Sequence, residues 1–365
     1  MQETEELFRS MARPAIWGIE PYDASTIEEP KIRLSANENN EGLPPSVLAA
    51  MRRALAGGNR YPDSRNTALR EKLAACFSLR PEQIMTSNGL DGLFTMLGRA
   101  FLAPGDEVIC GECTFGVYAD TALIAGASVK KIPLGEGYGQ IPADFAAAVG
   151  PATKMLFFCN PNNPTGTLAD AASLRKMLED IPPRVAVILD EAYFDFTGED
   201  GSESFKLLEE FPNLIICRTF SKLFALAGLR VGWAAAHPGL LDYLYRVREP
   251  YCVTSVAEAG AIAALDEKEH LGKTCAAVAA ERGKLCAALR RCGVEYIPSR
   301  ANFVLIFPRE RYDGLAAAFA QKGIAVRGLS LRKERVMRIS VGLPEENRQV
   351  AGAIEEIFEI SQTKV

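Results

Sequence analysis

From Ile84 to Ala236 the chain alternates short apolar runs with stretches of helical period. The runs lie at 84–87, 107–110, 128–134, 154–159, 184–190, 213–217 and 230–236. Several are apolar throughout rather than alternating, which predicts strands buried on both faces of a mainly parallel sheet. Intervening segments such as 168–181 have the length and period of crossover helices. The pattern is that of an α/β layered domain. After Pro250 the texture changes. Residues 255–270 and 274–292 read as long Ala-rich helices. Residues 301–307, 323–328 and 336–342 read as short strands of a second, smaller α+β domain. The first forty residues are rich in Pro and Glu with little period, and predict an arm rather than a domain.

Composition narrows the class without naming a chemistry. The chain has 365 residues, 48% hydrophobic and 24% charged, with a net charge of −5. That excludes disordered and fibrous proteins and gives no basic footprint for nucleic acid. No apolar run approaches the roughly 18 residues of a membrane span. The acidic N-terminus lacks the apolar core of a secretory signal. The nine cysteines sit mostly in apolar runs and read as reduced, buried thiols of a cytoplasmic protein. Cys110 and Cys113 form a C-x-x-C, but no second pair stands at metal-ligand spacing, so no metal is expected. His237 and His270 are the only histidines. A Ser-His-Asp or Cys-His mechanism is therefore unattractive, and proton transfer needs another base. A lysine bound to a cofactor is one answer.

In open α/β sheets ligands bind beyond the carboxyl ends of the strands. The polar residues after each apolar run are therefore the candidates. After 84–87 comes Asn88-Gly89-Leu90-Asp91-Gly92, opening a helix. After 107–110 come Cys113, Thr114 and Phe115. After 154–159 comes NPNNPTG, with Asn163. After 184–190 come Glu191 and Tyr193, following Asp190 itself. After 213–217 come Arg218, Thr219, Ser221 and Lys222, and then Arg230. Singly, each has an ordinary structural role as a cap, turn, core or solvated residue. Their ordered appearance at successive strand ends points to one crevice.

With these residues in place the sequence resembles the fold-type I pyridoxal-phosphate aminotransferases. Within them it is most similar to the histidinol-phosphate aminotransferase family. The matching stretches are PYDAS, LSANEN, RYPD, SNGLDG, CTFGVY, NPNNPTGT, LDEAYFDF, TFSKLFALAGLRVGW, ANFVL, GIAVRG and MRISVG. The resemblance implies a three-layer α/β/α large domain with a mainly parallel sheet plus a smaller α+β domain. The expected division is 1–45 for the arm and part of the small domain, 46–250 for the cofactor domain, and 251–365 for the small domain.

The resemblance also implies roles. Lys222 carries pyridoxal 5'-phosphate as an imine and then serves as base for the Cα proton. Asp190 pairs with the pyridinium nitrogen and keeps the ring an electron sink. Asn163 and Tyr193 bond the ring's phenolic oxygen, and Phe115 stacks on its face. No Walker loop is present. The phosphate instead meets the N–H groups of Leu90 and Asp91 at a helix N-terminus, the hydroxyls of Thr219 and Ser221, and Arg230. Tyr61 reaches the phosphate from a partner subunit, which implies a homodimer with shared sites. Arg338 grips the α-carboxylate, Asn37 lines the same pocket, and Tyr22 and Arg327 hold the distal phosphate of histidinol phosphate.

The family pattern is not matched everywhere. Phe115 stands where Tyr is usual, and Leu223 follows the lysine where a small residue is usual. Both bear on substrate choice. The implied reaction moves an amino group from an amino acid or amino phosphate, best matched by L-histidinol phosphate, to 2-oxoglutarate in histidine biosynthesis. The alternatives are an aminotransferase preferring aromatic or other amino acids, and a decarboxylase resembling threonine-phosphate decarboxylase.

Overall fold

The computed structural model of the chain describes residues 2–21 and 29–359. Tyr22 lies outside the described residues. Twelve strands form two sheets: β1 (Ile32–Leu34), β2 (Ile84–Ser87), β3 (Glu107–Gly111), β4 (Ser128–Ile132), β5 (Thr153–Cys159), β6 (Ala186–Asp190), β7 (Leu214–Thr219), β8 (Gly232–Ala236), β9 (Glu295–Ile297), β10 (Phe303–Phe307), β11 (Ile324–Leu331) and β12 (Glu334–Ser340). The large sheet has the order β2-β8-β7-β6-β5-β3-β4. Strands β3 to β7 pair in parallel, and β8 runs antiparallel to both β7 and β2.

The continuous apolar runs are explained by burial on both faces. Along β5, Leu156 and Phe158 enter one core, while Met155, Phe157 and Cys159 enter the other. Helices Thr67–Phe77 and Ala171–Asp180 cover the first face, and Gly89–Phe101 and Val117–Ala125 the second. This gives three layers, α/β/α.

The smaller sheet has the order β1-β11-β12-β10-β9. Its core is closed by the helices Lys268–Arg291, Tyr312–Gln321 and Pro344–Glu359, through Leu285, Leu289, Leu315, Phe319, Val350 and Ile354. Inside the first forty residues, Ile32–Leu34 is a strand, paired in parallel with β11 of the smaller sheet. Its three residues are too few to show a period. The helix Ser255–Asp266 lies beyond residue 250, yet Ala257, Ala261 and Ala264 share the large sheet's core with Val47 and Leu69. Alanine is small enough to let this helix lie close against Pro45–Leu55. All nine cysteines are free thiols. Among the described residues no helix is long and apolar enough to cross a membrane.

Candidate active site

The carboxyl ends of β5, β6 and β7 open on a cleft of about 530 Å³. One wall is the segment 35–41, which leaves β1 and runs toward the helix Pro45–Leu55. Of the residues expected at the site, Asn37, Leu90, Asp91, Phe115, Asn163, Asp190, Tyr193, Thr219, Ser221, Lys222, Arg230 and Arg338 line this cleft. Tyr61 and Arg327 do not. Tyr61 is 81% exposed and stacks on Tyr251, with ring centroids 4.5 Å apart. Arg327 on β11 faces Arg338 on β12 in direct cross-strand register. Leu223 is buried beside the cleft rather than lining it.

Asp190 is the last residue of β6 and is 3% exposed. Its Oδ1 accepts from the N–H of Ala192 (2.9 Å), and its Oδ2 accepts from the hydroxyl of Tyr118 (2.5 Å). Burial pushes the carboxyl up to about 6, against the pull of these two bonds. Glu191, the next residue, is paired with Arg218 of β7 (2.7 Å). That buried pair ties the ends of β6 and β7 together.

Tyr118 went unrecognised in the sequence. It lies three residues after Phe115, so both stand near one face of the same helix start. That spacing was the available signal. Its ring stacks on Phe157 (4.6 Å, 9°) and meets Phe115 edge-on (5.7 Å).

Lys222 follows β7 in a short loop. Its Nζ donates to the carbonyl oxygen of Ala36 (2.9 Å). Burial, with the positive Arg338 nearby, draws its pKa down to about 8. Arg338 Nη1 donates to Asn163 Oδ1 (2.6 Å), and Nη2 donates to the carbonyl oxygen of Ser35 (2.6 Å). Asn37 Nδ2 donates to the Tyr193 hydroxyl oxygen (3.0 Å). Burial pushes the Tyr193 phenol up to about 12.

The far end of the cleft is shaped for an anion. The helix Gly89–Phe101 points its N-terminus there, and Asn88 makes no side-chain capping bond to its first turn. Gly89 is left-handed (φ 67°), and a Cβ on it would run into the Arg230 guanidinium. A Cβ on Gly232 would stand 2.8 Å from the carbonyl carbon of Gly89 and 2.9 Å from the nitrogen of Leu90. Two glycines thus let backbone amides and a guanidinium converge. Arg230 itself is left-handed (φ 54°). Its Nη1 donates to Ser221 Oγ (3.4 Å) and its Nη2 pairs with Asp91 (3.0 Å).

Comparison with known proteins agrees with this arrangement. Residues 29–354 match the model of the family described as aminotransferase class I and II. The chain is 38% identical over 325 residues to a histidinol-phosphate aminotransferase of Symbiobacterium thermophilum, covering 89% of this chain and 90% of that one. It is 37% identical over 335 residues to an aromatic amino acid aminotransferase of Mycobacteroides abscessus, covering 92% and 95%. The crystal structure of histidinol-phosphate aminotransferase from Sinorhizobium meliloti in complex with pyridoxal-5'-phosphate superposes with a TM-score of 0.89 at 25% identity, covering 96% of this chain and 98% of that one.

Fold and cleft together define a fold-type I, pyridoxal-phosphate-dependent transaminase. The residues present fit that cofactor: an amine, a buried carboxylate for a ring nitrogen, an aromatic face, and an uncapped helix N-terminus with an arginine for a phosphate. The chain belongs to the class I and II aminotransferase family.

Proposed function

We propose that this aminotransferase takes its amino group from an amino phosphate, L-histidinol phosphate, and passes it to 2-oxoglutarate. The observation that carries the reading is the register of Arg327 against Arg338. Like charges directly opposite each other destabilise a sheet, and directly opposite residues share one face. Such a pair beside the cleft supports a strongly anionic ligand. The printed names of the Symbiobacterium and Sinorhizobium relatives support the same donor. The name of the Mycobacteroides relative favours a second reading, an aromatic amino acid as donor.

When bound, pyridoxal phosphate supplies a carbonyl that captures the substrate amine and a ring that accepts the electron pair from Cα. The chain's own residues do the rest. Lys222 would hold the cofactor, and its amine would take and return the Cα proton. An amine held near 8 keeps an appreciable neutral share at neutral pH, as a base requires. Asp190 would hold the ring nitrogen's proton, and Phe115 would cover the ring face. Asn163 and Tyr193 would donate to the phenolic oxygen. The amides of Leu90 and Asp91, with Thr219, Ser221 and Arg230, would hold the phosphate. Arg338 grips the carboxylate of the acidic partner substrate beside Asn37, and Tyr22 and Arg327 hold the distal phosphate. The exposed Tyr61 reaches the phosphate in a partner subunit, so the working form is a homodimer with shared sites. The free thiols support a cytoplasmic enzyme.

The test is a half-reaction screen of protein loaded with cofactor. L-histidinol phosphate and L-glutamate are each expected to bleach the visible band, and L-phenylalanine to do so more slowly. Arg327→Ala is expected to weaken histidinol phosphate by about 10- to 100-fold, the worth of a charge-assisted bond, and to leave phenylalanine nearly unchanged. Faster bleaching by phenylalanine, with equal losses on substitution, would favour the aromatic reading. Carbon dioxide released from phosphothreonine without bleaching would instead mean a decarboxylase.

A further inference from the structure

Asn37 is 1% exposed and stands in the left-handed region, with φ 55°. Four hydrogen bonds hold it. Its N–H donates to Ser340 Oγ (2.9 Å), and Ser340 Oγ donates to its Oδ1 (3.0 Å). Its carbonyl accepts from Asn302 Nδ2 (3.1 Å). Its own Nδ2 donates to the Tyr193 oxygen (3.0 Å). Ser340 ends β12 of the small sheet and Tyr193 follows β6 of the large one. Both are buried.

This relay has a direction. A serine hydroxyl carries one proton. Ser340 Oγ accepts from the Asn37 N–H and gives its proton to Asn37 Oδ1. The amide nitrogen then faces Tyr193, whose oxygen accepts. A phenol that accepts from Asn37 keeps its own proton for another partner. Were the amide reversed, Tyr193 would donate to Asn37 and present only lone pairs to the cleft. At neutral pH the phenol is protonated, because burial holds its pKa at about 12. The charged groups around it are Arg338, Asp190 and Lys222.

We propose that Ser340 is a positioning residue for amino transfer: by fixing the Asn37 amide it directs the Tyr193 proton into the cleft, toward the cofactor's phenolic oxygen. This rests on Tyr193 meeting the cofactor, as proposed above. It assigns to the small domain a part in tuning the cofactor, through a residue that does not itself line the cleft.

The test is a pH titration of the visible band of cofactor-loaded protein, with the melting temperature of each variant as a check on folding. Ser340→Ala is expected to raise the band's pKa by about one unit, as losing a hydrogen bond to a charged oxygen does. Ser340→Thr, which keeps the hydroxyl, restores the wild-type value. Adding Asn37→Ala to Ser340→Ala removes the competing acceptor and brings the pKa at least halfway back. Asn37→Asp, which leaves β12 intact and can only accept from Tyr193, also raises it. A Ser340→Ala or Asn37→Asp value within about 0.2 unit of wild type, or a double variant shifted further upward, would overturn the proposal. Wild-type protein that takes up no cofactor would instead overturn the reading of the site, a separate outcome.

Discussion

Tyr118→Phe deletes one oxygen from the core and acts on Asp190. The ring keeps its stack on Phe157 and its edge contact with Phe94, so little packing is lost. What goes is the bond to Asp190 Oδ2. A hydrogen bond to a charged acceptor contributes about 1.5–3 kcal/mol. At about 1.4 kcal/mol per unit that is about one to two pKa units. The bond favours the carboxylate, so its loss moves Asp190 upward from about 6 to between about 7 and 8.

The sign for stability follows from linkage. The folded pKa lies above the unfolded value of 3.8, so the folded apoprotein binds the extra proton. Its contribution is complete below about 3.8 and is lost as pH rises through about 6. In the variant that loss extends to between about 7 and 8. Cofactor uptake runs the other way, because the ring nitrogen's proton needs an ionised partner. The assay is cofactor affinity between about pH 5.5 and 8.5 for wild type, Tyr118→Phe and Asp190→Asn, beside urea unfolding of the apoproteins. At pH 7 the ionised share of Asp190 falls from roughly nine-tenths to between roughly one half and one tenth, a loss of about two- to tenfold in affinity. The uptake midpoint rises in Tyr118→Phe and vanishes in Asp190→Asn. A midpoint that stays in place or moves down would refute the view that Tyr118 stabilises the carboxylate.

Three further outcomes are expected. Lys222→Ala loses the visible band, and its turnover drops by at least the roughly 10²- to 10⁴-fold that a positioned acid-base group contributes; retained turnover would remove the lysine from the chemistry. Gly232→Ala drives a methyl against Gly89 and Leu90 and costs about 1–3 kcal/mol, read as a lower Tm and weaker competition by inorganic phosphate. On the proposed homodimer, mixing Lys222→Ala and Tyr61→Ala subunits restores about a quarter of wild-type activity, because half the dimers would be mixed and each would have one intact site; no recovery would mean that Tyr61 serves no neighbouring cleft.

What could be read in the sequence was whatever followed a buried strand. Asn163, Asp190, Thr219, Ser221 and Lys222 each come at or just after an apolar run, and topology alone brings those ends together. Arg230 and Gly89 could be read because a helix start and a strand start are local signals. Tyr118 is different. In VYADTALIA it looks like any core aromatic, and only packing against β6 shows that its hydroxyl meets a carboxylate. Arg327 takes its role in the sequence from the resemblance alone, since its pairing with Arg338 depends on the register of a hairpin. The helix Ser255–Asp266 has the same Ala-rich texture as the one after it, yet the two belong to different cores.

The segment 35–41 shows why the remainder resisted. Its residues have no period, and six of them bond across the molecule: Ser35 to Arg338, Ala36 to Lys222, Asn37 to Ser340 and Tyr193, Asn39 to the carbonyl of Leu223, Asn40 to Glu346, and Glu41 to Thr274. The bonds reach both sheets, and their partners lie 156 to 306 residues away in sequence. Asn37 bonds a residue of each sheet, Ser340 at the end of β12 and Tyr193 after β6, so its place in the site depends on how the two sheets meet, which no local pattern in the sequence states.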